Sequence, residues 1–186
     1  MLAYLFWHLP YAKTAVTQYE ESLLRFQQLL GQQQPPGFRG TASFRVAALP
    51  WLSDRPGYED WCLVEGSWAL DPLNAIAVAG PVMGAHDAAA AQMEEGHGGL
   101  YALVWGDPAL PERSTTVWLT RPRGIQWRPA LDPLRQQVPE ATLWRRQMVL
   151  GPGNEFALIL PAGRNVAAPA GWTALAVDRV RVGVPV

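Results

Sequence analysis

Four stretches in the first hundred residues alternate strictly between two kinds of side chain, and a chain with that pattern is bound to fold around a two-faced sheet. Tyr4, Phe6 and His8 alternate with Leu5, Trp7 and Leu9, and Ser43 and Arg45 with Phe44, Val46 and Ala48. Trp61 and Glu65 alternate with Cys62 and Val64, and Tyr101 and Trp105 with Leu100, Ala102 and Val104. Side chains of a strand project to opposite faces with period two. The bland aliphatic face is therefore expected to pack on helices, and the aromatic and polar face to line a pocket or an interface.

The longest helix is expected over 12–30, because Ala12, Ala15, Val16, Tyr19, Leu23, Phe26 and Leu30 recur at spacings of three and four. Gly31 supplies a C-terminal stop, and Pro35-Pro36 makes 32–37 an exposed connection. Strands are expected over 40–49 and 60–67, with Pro50 to Asp60 as the turn of a long hairpin. A turn centred near Asp54 and Arg55 would set Arg45 about opposite Glu65. Asp71-Pro72 opens a short helix to about Ala79, Gly80-Pro81 breaks it, and an alanine-rich helix runs over 85–95. With a strand over 100–105, the order through residue 106 is β-α-β-β-α-β.

The remainder reads as a weaker repeat. Strands are expected over 115–120, 142–150, 155–160 and 172–182, with a short helix from Asp132-Pro133. Ala69-Leu70-Asp71-Pro72-Leu73 recurs as Ala130-Leu131-Asp132-Pro133-Leu134, a short match that duplication or the common use of Asp-Pro at helix starts explains equally. The division expected is a unit over 1–108 and, over 109–186, either a degenerate second unit or a β-rich extension packed on the first.

With 186 residues and 49% hydrophobic side chains, the chain can bury a substantial core. A net charge of −1 provides no basic stripe for nucleic acid and no polybasic arm for a membrane surface. The apolar start, 1–9, is about half the length of a membrane span and has no positive leader region, so it reads as a strand. Cys62 is the only cysteine, which rules out an intramolecular disulfide and fits a reducing cytoplasm. Lys13 is the one lysine against fourteen arginines, a bias expected of a GC-rich, bacterial genome.

The element order resembles the ferredoxin-like fold, an α+β class with an antiparallel sheet and helices on one face. The long first helix against an aromatic sheet, the run Trp61 to Trp68 leading into a helix, and His86 in the next helical stretch resemble the dimeric α+β-barrel superfamily. That group includes antibiotic-biosynthesis monooxygenases, EthD-like proteins and chlorite-dismutase-like haem proteins. The resemblance covers residues 2–106 and implies a barrel closed by two units, from two chains as a homodimer or from a duplicated unit within this one. It also implies an enzyme that can work without metal or flavin, the substrate supplying the reactivity.

Three residues are candidate catalytic groups: His8 at a strand end as a proton carrier, and Arg45 with Glu65 as a cross-strand pair orienting an anion or carbonyl. Trp61, Tyr101 and Trp105 are the candidate ligand-binding residues, expected to converge with them on one side of the sheet. Nine tryptophans point to a hydrophobic, aromatic ligand or to core and interface filling. No metal site is expected, since His86 and His97 lie eleven apart. Gly96-x-Gly98-Gly99 precedes a strand, the reverse of a dinucleotide fingerprint, so no nucleotide cofactor is expected. Cys62 reads as a small core residue. Haem is a weaker option resting on His8 or His97 as axial ligand. The function expected is a cofactor-independent, small-molecule enzyme of the monooxygenase or EthD type, the alternative being a non-catalytic binding or assembly protein of the same fold.

Overall fold

The computed structural model describes residues 1–147 and 153–184. In chain order the elements are β1 (Leu2–Pro10), α1 (Val16–Gln33), β2 (Phe38–Leu49), β3 (Arg55–Val64), α2 (Leu70–Ala77), α3 (Gly80–Ala90) and β4 (Met93–Trp105). They continue with β5 (Arg113–Thr120), α4 (Trp127–Gln137), β6 (Thr142–Arg146), β7 (Phe156–Pro161) and β8 (Thr173–Arg181). All eight strands join in one closed antiparallel barrel, ordered β4-β1-β3-β2-β8-β5-β7-β6 and back to β4. Each half of the chain thus places its fourth strand beside its first, then its third, then its second. Closure removes every sheet edge. Of the two ways expected to close the barrel, a second chain or a second unit of this one, the strands of the same chain do so.

An eight-stranded barrel is just wide enough for side chains to fill it. Here the filling is aromatic: Trp7, Trp51, Trp61, Trp118 and Trp144 are buried with Tyr101 and Phe44 in one interior cluster. Trp7, Trp51 and Trp118 meet edge to face at centroid distances of 5.3 to 5.6 Å. Gly99 makes room for them, because a Cβ there would lie 3.0 Å from the Tyr101 ring and 3.1 Å from Trp7. Trp105, Trp127 and Trp172 instead lie outside, in the layer where α4 buries Leu131 and Leu134 against β5, β6 and β7. α1, α2 and α3 cover the outer face of the first half, with Tyr19, Leu23 and Leu30 buried on α1.

This corrects the expected assignment of faces. On β3 and β4, Trp61 and Tyr101 do point away from the helices, into the barrel. On β1 and β2 the faces are reversed: Leu5, Trp7, Leu9, Phe44 and Val46 fill the barrel, while His8 and Arg45 meet α1. Period two reveals that a strand has two faces and not which one looks inward, and in a covered barrel both are buried.

The hairpin is also tighter than expected. Pro50–Leu52 forms one turn of 3-10 helix, and Ser53 and Asp54 adopt left-handed conformations. Leu49 thereby pairs with Arg55, and Arg45 stands opposite Tyr58, seven residues before the expected point. Pro56-Gly57 lies inside β3, where a Cβ on Gly57 would collide with Leu9 and the His8 carbonyl. Further boundaries move: Gly80-Pro81 opens α3, with proline in its first turn, and 93–95 belong to β4. Asp71 sits in the first turn of α2, but the repeated Asp132-Pro133 falls within α4, so the pentapeptide marks different places in the two halves. The expected strand over 142–150 is seen over 142–146, and 148–150 lie outside the described residues.

Candidate functional site

Glu59 and Asp60 are consecutive on β3, so the alternation of the strand sends one carboxylate to each face. Glu59 enters the barrel and is fully buried. It accepts hydrogen bonds from the indoles of Trp7 (2.8 Å) and Trp61 (2.5 Å) and from Arg179 Nη1 (3.1 Å). Arg179 Nε donates to Ser114 Oγ at 2.6 Å, and the guanidinium lies 4.2 Å from the Phe44 ring centre. Burial pulls the Arg179 pKa below its ordinary value, against the opposing effect of Glu59. This cluster joins a strand of the first half to two of the second.

Asp60 faces the helices, where a cavity of about 500 Å³ lies between the sheet and α1, α2 and α3. The walls are mostly apolar, including Phe6, Phe26, Leu30 and Leu73, and Asp60 is the one carboxylate among the residues lining it. Its side chain keeps 21% of its surface exposed. Behind it runs a chain of polar contacts. Ser43 Oγ donates to Asp60 and accepts from Gln27, which also lines the cavity. The Nε2 atom of His8, a residue with no exposed surface, lies 3.3 Å from Asp60 Oδ1, off the line of a hydrogen bond.

On the far side of the imidazole stands Tyr19. Tyr19 Oη lies 2.5 Å from His8 Nδ1. Burial above all, then the nearby Asp60 and Tyr58, raises the Tyr19 pKa far above its ordinary value, so the phenol keeps its proton. A protonated phenol can donate to Nδ1 or accept from it, and donation puts the imidazole proton on Nε2, the nitrogen on the Asp60 side. Phe6 and Tyr58 stack on the ring at 5.5 and 5.6 Å. His8 is fully buried and does not itself line the cavity. His97 pairs with Glu95 at 2.8 Å and is not among the residues lining the cavity, so neither histidine fits the role of a haem ligand.

The six residues expected to converge are separated. Trp61 and Tyr101 are barrel filling, and Trp105 lies outside beneath Arg135 of α4. Arg45 grips both oxygens of Glu20 on α1, at 2.5 and 2.6 Å, and does not meet Glu65. Glu65 lies near the surface and pairs with Arg39. Only His8 abuts the cavity network. Cys62 does line the cavity, with its thiol pushed up to about 12 by burial and then Asp60, which keeps it protonated and unreactive. Asp60 and Glu59 escaped notice because 50–60 read as a turn. Their adjacency before Trp61, in what is a strand, was the available signal.

No known family pattern and no curated protein matches the sequence. Solved structures do match in shape. A protein from Lactobacillus acidophilus NCFM proposed to be a monooxygenase aligns with a TM-score of 0.54 and 7% identity, over 96% of this chain and 93% of that one. An anthrone oxidase-like protein aligns with a TM-score of 0.50 and 11% identity, over 98% and 94%. A chlorite dismutase from Candidatus Nitrospira defluvii gives a TM-score of 0.48 and 10% identity, over 96% and 90%. The chain has the fold of the dimeric α+β-barrel proteins. Among the described residues no helix is long and apolar enough to cross a membrane.

Proposed function

We propose that the protein is a small-molecule enzyme that binds a hydrophobic, aromatic compound in the cavity between sheet and helices, with Asp60 as proton acceptor. The observation that carries this reading is a single carboxylate set in apolar walls, with a buried histidine 3.3 Å behind it. A pocket of this size and lining suits a drug-sized apolar molecule, and a general base must lie within reach of the proton it takes. The names of the structural neighbours, a proposed monooxygenase and an anthrone oxidase-like protein, support an oxidation. Asp60 would take a proton from an activated CH₂ group, and the resulting carbanion would pass electrons to dioxygen. Formation of a C=O at that carbon and release of the second oxygen as water balances the reaction. His8 and Tyr19 would hold and orient Asp60, while Arg45 and Glu65 take no part. We read the two halves, 1–108 and 109–186, as two ferredoxin-like units of one barrel, the first of which keeps the site.

Oxygen uptake with anthrone as probe tests the proposal. Uptake with formation of the quinone, reduced about a hundredfold or more in Asp60→Asn, is expected of a general base. Binding of anthrone with no uptake beyond the protein-free rate favours the non-catalytic binding alternative.

A further inference from the structure

The cavity has a consistent sign of charge. Among the described residues no lysine or arginine lines it, and its one carboxylate is Asp60. The histidine in its wall, His86, has Nδ1 held by Asp87 at 2.9 Å. One helix end adds to the same sign. Ala89 and Ala90, at the C-terminus of α3, belong to the lining, whereas α2 borders it with both its ends, Leu70 and Ala77, and adds no net sign. A helix C-terminus carries partial negative charge, and α3 has no basic residue in its last turn to offset it. Aromatic residues complete the wall, Tyr4, Phe6 and Phe26 among them. The face of an aromatic ring attracts a cation.

From this geometry we infer that the cavity selects an apolar molecule carrying a hydrogen-bond donor, an ammonium group above all, and rejects carboxylates. The inference rests on the reading of the cavity as the binding site, and it deepens that reading by fixing the polar group of the ligand. A donor meets Asp60 Oδ2, the oxygen that neither Ser43 nor His8 engages, where charge on the donor shortens and strengthens the bond. A carboxylate would face Asp60 and the C-terminus of α3 with no lysine or arginine to neutralise it, in a setting where apolar walls weaken solvent screening.

Three naphthalenes of matched size, bearing CH₂NH₃⁺, CH₂OH or COO⁻, separate the possibilities by isothermal titration calorimetry against the whole chain. The expected order is ammonium about tenfold tighter than alcohol, and carboxylate at least about tenfold weaker than alcohol. Asp60→Asn should bring ammonium and alcohol within about threefold of each other. Ala90→Trp, which fills the cavity, should abolish all three. Equal affinities, or carboxylate binding best, would overturn the inference while leaving the cavity a binding site. Binding of all three unaffected by Ala90→Trp, or no binding by any, would overturn the cavity reading and the inference with it. The wild-type series decides the charge preference even if a variant fails to fold.

Discussion

The two faces of β3 carry adjacent carboxylates into opposite surroundings, and the contrast separates structure from chemistry. Inside the barrel, Glu59 is consumed by Trp7, Trp61 and Arg179, with no exposed surface left for a ligand. Even there satisfaction is incomplete, since Arg179 Nη2 and Thr116 Oγ1 are buried without a partner. On the helix side, Asp60 is held by Ser43, with His8 3.3 Å away, yet still opens on a cavity. Both acids are organised by their neighbours. Only one is organised toward empty space, and that is the difference between a group that closes a fold and one that can act on a ligand.

The comparison breaks most visibly at Glu59. Glu59→Leu leaves the Arg179 charge buried without its partner, and removing one member of a buried pair costs about 3–5 kcal/mol. Urea unfolding should show that loss, and a loss below about 1 kcal/mol would mean the interior pair is not what joins the halves. Binding at the Asp60 cavity should survive wherever the variant still folds.

Alkaline titration sharpens the picture, because both faces hold acids protonated. Burial raises Cys62 on the helix side to about 12, and raises Tyr101 within the barrel above its ordinary value. In the unfolded chain the thiol ionises near its ordinary 9, so between about 9 and about 12 the unfolded state binds fewer protons than the folded one. Stability is therefore full below the first value and falls as pH rises toward the second. Cys62→Ala should flatten the early part of that fall, and an unchanged pH profile of the unfolding midpoint would show the thiol is not sealed. A thiol reagent at pH 8 should modify Cys62 only after unfolding.

Tyr19→Phe has a smaller effect. It leaves His8 Nδ1 buried without its hydrogen-bond partner, a loss of about 1–3 kcal/mol. It should also free the imidazole to carry its proton on either nitrogen, which ¹⁵N NMR of the His8 ring would register as a changed tautomer balance. An unaltered balance would show that Tyr19 does not fix it. The smallest effect belongs to the outermost pair: Arg39→Ala, which strands Glu65 near the surface, should cost about 1 kcal/mol or less.

The alternation of β1, β2, β3 and β4 and the three-four spacing of α1 were legible in sequence because they are local consequences of strand and helix geometry. The same local rules place Tyr19 and Leu23 on the buried side of α1. Composition likewise made a tryptophan-rich interior legible without saying where it would form. What the pattern could not carry was register and facing. Arg45 met Glu20 instead of Glu65 because one turn of 3-10 helix after Leu49 shortened the hairpin, and a few residues of turn geometry reset every partner along the strand pair.

Sequence alone therefore determined the two-faced strands, the long first helix and the α+β class, all set by contacts within a few positions of each residue. Only the tertiary structure decided that the second half closes the barrel, that indoles fill its centre, and that Asp60 and not Glu59 borders a cavity. Those outcomes depend on which strand lies beside which, and the pairing of β2 with β8 or β4 with β6 joins residues a third of the chain or more apart in sequence or across its two halves. A carboxylate reads the same in either setting. Its partners, brought from β1, β2, β8 and α1, are what make one structural and leave the other free to meet a ligand.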